Sequence, residues 1–87
     1  MKGRYRVEID TRAGREIRDL QRAEQVRIVG RIESLAQNPR PHGCVKLSGG
    51  QELWRIRVGQ YRVIYQVRDD RLMVMIVKVG NRRDVYR

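Results

Sequence analysis

The chain has 87 residues and a formal net charge of +10, from 20 basic and 10 acidic side chains, and all but three of the basic ones are arginine. A domain of this size builds only a modest core and has no room for a deep enclosed active site, so its function belongs on an open surface or groove. The charge favours a polyanionic partner, nucleic acid first. The single cysteine, Cys44, excludes a disulfide framework and a thiolate metal site, and the apolar runs are too short to span a membrane. A reducing cytoplasm is the expected compartment, and residues 1–87 read as one domain.

In chain order, "YRVEI" (residues 5–9) alternates apolar and polar side chains and predicts a strand. Asp10 or Thr11 can cap the helix that follows, in which Ala13, Ile17 and Leu20 recur at helical spacing. A second apolar series, Val26, Val29, Ile32, Leu35 and Ala36, runs to the stop at Asn38-Pro39. Two helices bent near Gln21–Ala23 are therefore expected. Gly14 and Gly30 each weaken a helix interior by about 1 kcal/mol relative to Ala, which points to close helix contacts at both. Residues 38–51 are rich in Pro and Gly and predict a loop, with room for a short strand at Val45–Leu47. Within it, His42 reads as a surface residue and Cys44 as a small packing residue.

"WRIRVGQYRVIY" (residues 54–65) alternates on either side of Gly59-Gln60 and predicts a β-hairpin with a type II′ turn. Val58 then faces Tyr61, Arg57 faces Arg62, Ile56 faces Val63 and Trp54 faces Tyr65. Trp54, Ile56, Val58, Tyr61, Val63 and Tyr65 share one face, and Arg55, Arg57 and Arg62 the other. Like charges directly opposite one another are destabilising, so the crowding of these arginines asks for a reason. "RDDR" (68–71) turns the chain into "LMVMIVKV" (72–79), apolar enough to be a central strand, and "GNRRDVYR" (80–87) is a polar tail. The period of "LMVMIVKV" leaves open which of Met73, Val74, Met75 and Ile76 face the helices. The expected class is α+β: an N-terminal strand and a helical hairpin packed on a twisted antiparallel sheet, in the order βααβββ.

From Asn38 onward the chain resembles the RelE/ParE toxin superfamily of bacterial and archaeal toxin–antitoxin systems. The matching stretches are "NPRP" (38–41), "KLSGG" (46–50), "LWRIRVGQYRVIYQV" (53–67), "KVG" (78–80) and "RRDVYR" (82–87), and the βαα start extends the resemblance over essentially the whole chain. The resemblance to its RelE branch implies a metal-free ribonuclease that needs no cofactor, enters the ribosomal A site and cleaves mRNA there, restrained by a cognate antitoxin. By the same resemblance, Arg62, Arg82 and Tyr86 fall at catalytic positions and Arg55 and Arg57 at substrate-binding ones, and Arg83 and Lys46 join them as further candidate substrate-binding residues. Two features depart from the family pattern: arginines stand at 55 and 57 where some ribosome-dependent members carry lysine, and Asn81 stands where many carry histidine.

Cleavage of this kind activates a 2′-hydroxyl against the adjacent phosphate, stabilises an extra negative charge and protonates the leaving 5′-oxygen. Preorganised guanidinium groups supply the charge stabilisation and bind phosphate two-pronged, so a phosphate seated among Arg55, Arg57 and Arg62 would relieve their mutual repulsion. Arginine is no base at neutral pH. Tyr86 is the candidate for proton transfer if nearby arginines lower its pKa, or else an aromatic anchor for the tail. Two further readings stay open: a ParE-like poison of DNA gyrase, and a non-catalytic RNA-binding module.

Overall fold

The computed structural model describes residues 4–49 and 52–81. Its elements are β1 (Arg6–Ile9), α1 (Thr11–Arg18), α2 (Arg22–Ser34), β2 (Val45–Lys46), β3 (Leu53–Val58), β4 (Tyr61–Arg68) and β5 (Met73–Asn81), with a 3₁₀ turn at Asp69–Arg71. The strands form one sheet in the order β1-β5-β4-β3-β2. The α+β class and the element order follow the sequence reading, and the short strand allowed for at Val45 is β2. One detail differs. Strands β2 to β5 pair antiparallel, but β1 joins β5 in parallel, so the sheet is mixed. Tight turns force the antiparallel pairs, whereas β1 reaches β5 through the whole intervening chain and is free to run alongside it.

The apolar run of β5 is explained by its place between β1 and β4. Val74 and Ile76 are fully buried, which settles the open register: they face the helices, and Met73 and Met75 are half-buried on the other side. Tyr65 pairs with Ile76 and Ile64 with Lys78, so Val77 is an extra residue in β5. This bulge shifts the alternation by one, and Val79, 3% exposed, returns to the core face three residues after Ile76.

The helices close that face. Ala13 and Ile17 of α1, and Ile28 and Ile32 of α2 with Leu35 just beyond it, pack against Ile56, Val58, Val63, Tyr65 and Val67. Here the expected second series needs correcting. Ile28 is fully buried and Val26 is 61% exposed. Ile28, Ile32 and Leu35 form an i, i+4, i+7 row that faces the core, whereas in the competing row Val26 is exposed and Val29 packs only at the core's margin. The expected close contacts at the helix glycines are also absent. A β-carbon on Gly30 would meet nothing within 4 Å, and one on Gly14 would make ordinary contacts at 3.8 and 3.9 Å.

Two side chains stitch the helices to their neighbours. The break between α1 and α2 spans residues 19–21, slightly earlier than expected. Gln25 Nε2 reaches back across it and donates to the carbonyls of Ile17 (3.0 Å), which also accepts the Leu20 N–H, and Arg18 (3.1 Å) at the end of α1. Past Ile76, β1 no longer covers the edge of β5. There Glu16 of α1 accepts the Val79 N–H at 2.7 Å and pairs with Lys78 at 3.5 Å.

Candidate functional site

The site is built on the β3–β4 hairpin. Gly59 takes φ +60° and Gln60 stays out of the left-handed region, as a type II′ turn requires. The register matches the expectation residue for residue: Val58 opposite Tyr61, Arg57 opposite Arg62, Ile56 opposite Val63 and Trp54 opposite Tyr65. Ile56, Val58, Val63 and Tyr65 anchor one face in the core. Their alternates Arg55, Arg57 and Arg62 are thereby held on the opposite face by strands whose own packing is fixed.

Strand β2 supplies a second wall. Val45 pairs with Arg55, which lays the end of the preceding loop beside the arginines. Gly43 lies there with φ +93°, a conformation that suits glycine. Gly43, Val45, Arg55, Arg57 and Arg62 together line an open concavity of about 260 Å³. Arg6, Arg12, Arg27, Arg40 and Arg68 each have a carboxylate partner, whereas among the described residues Arg55 and Arg57 have none. A concave surface that gathers three guanidinium groups, two of them without an acidic partner among the described residues, is complementary to an anion with several oxygens, such as a phosphodiester.

The other expected site residues divide into two groups. Arg82, Arg83 and Tyr86 lie outside the described residues, as does the segment after Asn81. Asn81 itself ends β5 opposite Tyr61, next to the Arg62–Gly80 pair. Lys46 is not brought to the arginines. It pairs with Trp54 in the register, and period-two alternation sends its side chain to the Trp54 side. There its Nζ is 5.8 Å from the Trp54 ring centroid and 3.6 Å from Glu52.

A second polar cluster was not foreseen from the sequence. Arg40, in the loop after α2, forms a two-pronged pair with Asp69 of the 3₁₀ turn, at 2.7 and 3.2 Å. Its guanidinium also lies over the Trp54 ring at 5.1 Å from the centroid. The Tyr5 hydroxyl donates to the same Asp69 carboxylate at 2.6 Å. The Arg40 and Tyr5 hydrogen bonds hold the Asp69 carboxyl down at about 2, from an ordinary 3.8, and the Asp69 bond in turn pushes the Tyr5 hydroxyl above its usual range. One residue earlier, the Pro39 carbonyl accepts the hydroxyl of fully buried Tyr65 at 2.8 Å. Burial raises the pKa of that tyrosine, so it remains a neutral donor. "NPRP" was visible as a motif, but Arg40 and Asp69 are 29 positions apart and no local pattern announces such a pair.

Two helices packed on one face of a mixed five-stranded sheet, with arginines gathered on the other, define a small α+β domain with a basic open site. The chain belongs to the ParE toxin family of type II toxin–antitoxin systems (parDE), within the RelE/ParE superfamily; the family pattern matches residues 7–86. A Methanocaldococcus jannaschii protein assigned as toxin RelE1 is 31% identical, covering 97% of each chain. The mRNA interferase toxin RelE of Escherichia coli K12 is 29% identical, over 94% of this chain and 90% of that one. The toxin fold in the archaeal RelE–RelB complex of Pyrococcus horikoshii superposes with a TM-score of 0.82 at 30% identity, over 93% of this chain and 98% of that one.

Proposed function

We propose that this toxin is a metal-free, ribosome-dependent endoribonuclease that cleaves mRNA in the ribosomal A site and so stops translation. The observation that carries the reading is the concavity in which Arg55, Arg57 and Arg62 converge, two of them lacking acidic partners among the described residues. A scissile phosphate seated there would meet Arg55 and Arg57 as binding groups, and Arg83 is proposed for the same role. Arg62 and Arg82 would stabilise the charge that builds up as the 2′-oxygen attacks phosphorus. Lys46, on the other side of the strand, takes no part in this arrangement. The 5′-oxygen must leave with a proton, and Tyr86 is the group proposed to deliver it; Asn81 cannot. The E. coli relative, named an mRNA interferase, supports the same chemistry.

A site of cations with no evident base depends on having its substrate held for it. Positioning can contribute about 7–11 kcal/mol to a barrier, and the ribosome would supply it by presenting the message in a fixed geometry. Naked RNA should accordingly be cut poorly. A cognate antitoxin is the second partner, in line with the RelB-bound Pyrococcus horikoshii relative, and a cytoplasmic location follows from a ribosomal target.

The parDE description of the family favours one competing reading, a gyrase poison. A plain RNA-binding module is less well supported, because the side chains that would stack bases are occupied. Tyr65 is fully buried, and Trp54 is covered by Arg40. The deciding experiment maps mRNA 5′ ends by primer extension on translating ribosomes, for wild type, Arg62→Ala and Tyr86→Ala. Codon-phased cuts that fall about 100-fold in Arg62→Ala and also fail in Tyr86→Ala support the full mechanism. Cuts lost only in Arg62→Ala remove Tyr86 from the chemistry. Toxicity without cuts, together with stalled gyrase–DNA complexes, replaces the nuclease reading with the gyrase one.

A further inference from the structure

The concavity has one wall made of sheet and one made of loop, and they are held by different means. Arg55, Arg57 and Arg62 stand on β3 and β4, whose alternate residues are locked in the core. Gly43 and Val45 stand at the end of the segment joining α2 to β2. That segment is fastened upstream of the site. The Asn38 side chain accepts the Arg40 N–H at 3.2 Å, the Pro39 carbonyl takes the Tyr65 hydroxyl, and Arg40 grips Asp69. A turn closed by the Cys44 N–H on the Pro41 carbonyl, at 3.0 Å, then carries the chain directly to Gly43 and Val45. Asp69 is itself oriented by Tyr5 at the start of the sheet, and the Arg40 guanidinium lies over the Trp54 ring.

We propose that Arg40 and Asp69 are positioning residues for phosphate binding: their two-pronged pair fixes the 39–45 loop and thereby sets the width of the arginine concavity. The inference rests on reading that concavity as the nucleic-acid site. Neither residue touches the ligand. Arg40 spends its charge on Asp69 and its flat face on Trp54, on the side of the sheet away from Arg55, Arg57 and Arg62.

The test exploits a conflict of sign. Asp69→Asn removes a negative charge, so simple electrostatics predicts tighter binding of a polyanion. Loss of the loop anchor predicts weaker binding. The probe is a fluorescein-labelled, 2′-O-methylated single-stranded RNA of ten nucleotides, which cannot be cleaved, titrated by anisotropy against wild type, Asp69→Asn, Arg40→Lys and Arg57→Ala. Thermal unfolding first establishes which variants are folded at the assay temperature. Arg40→Lys keeps the charge but cannot form the fork, and it decides by the same criterion if Asp69→Asn does not fold. Weakening of about tenfold in the anchor variants, with Gly43 and Val45 amide resonances shifted in the free protein and those of Val63 and Val74 unmoved, bears the proposal out. Unchanged or tighter binding in the anchor variants, with binding lost in Arg57→Ala, overturns the proposal and leaves the site standing. Binding that survives Arg57→Ala overturns the nucleic-acid site and this inference with it.

Discussion

Glycine is used here in two opposite ways, and a single methyl group separates them. Gly59 holds φ +60° at the hairpin turn, and a β-carbon there would lie 2.7 Å from Nη1 of Arg27. The arginine tip can move aside, but the backbone strain cannot be relieved. Gly59→Ala should therefore cost more than about 1 kcal/mol and loosen the register that aligns Arg57 with Arg62. Gly30 is helical, with open space around it, and Gly30→Ala should stabilise by about 1 kcal/mol. Urea unfolding of the two variants checks both signs. Asp69 gives a prediction in pH. Its carboxyl is held at about 2 in the folded chain against an ordinary 3.8. The stability it contributes is therefore complete above about pH 4 and disappears as the pH falls through 2. Acid unfolding followed by circular dichroism should show that loss in wild type and a flatter response in Asp69→Asn over the same window. Tyr5, raised, works from the other end: its contribution is complete below pH 10 and fades as the pH climbs beyond it.

Among the elements, the hairpin was the most legible in sequence. A strict two-residue period and a glycine at the first turn position determine the register between them, and the arginine side follows from alternation alone. The helices were less legible, because α2 carries two apolar rows and periodicity cannot say which one faces the sheet. Ile28 and Val26 exchanged roles for that reason. The long-range anchors were not legible at all. Arg40 with Asp69, Glu16 with the Val79 N–H, and Gln25 with the end of α1 join positions whose proximity is created by the fold. Lys46 shows the limit of transferring roles by motif: one step along a strand is enough to turn a side chain to the other face. The Glu16 contact can be tested directly. It satisfies a backbone donor at a strand edge that β1 no longer covers, so Glu16→Ala should cost about 1–3 kcal/mol in urea unfolding. The loss should appear as faster amide exchange at Val79 than at Val74.

At the scale of the molecule, the sheet separates two tasks. The helix side holds the core, and the far side carries the arginines, so substitutions in the concavity should alter function with little effect on stability. The +10 net charge adds a general attraction for RNA, which can be told apart from the site by its salt dependence. If Arg55, Arg57 and Arg62 share one scissile phosphate, the site should add about 0.7 to the magnitude of the slope of log Kd against log salt for single-stranded RNA, and Arg57→Ala should lower that slope. A larger slope that Arg57→Ala leaves unchanged would mean that binding is spread over the whole basic surface.

The placing of β5 also governs when this protein can come into being. Among the described residues it is the last strand to be synthesised, yet it lies between β1 and β4 and supplies Val74, Ile76 and Val79 to the core. Until residue 79 has left the translating ribosome, β1 has no neighbour to pair with and the helices have half a floor to rest on. Closure of the sheet joins β1 to β5 across the whole intervening chain, and such long loops close slowly. A nascent chain halted anywhere before β5 is therefore neither folded nor armed. The arginines of the hairpin are made before β5, but they become a site only after β5 has been delivered.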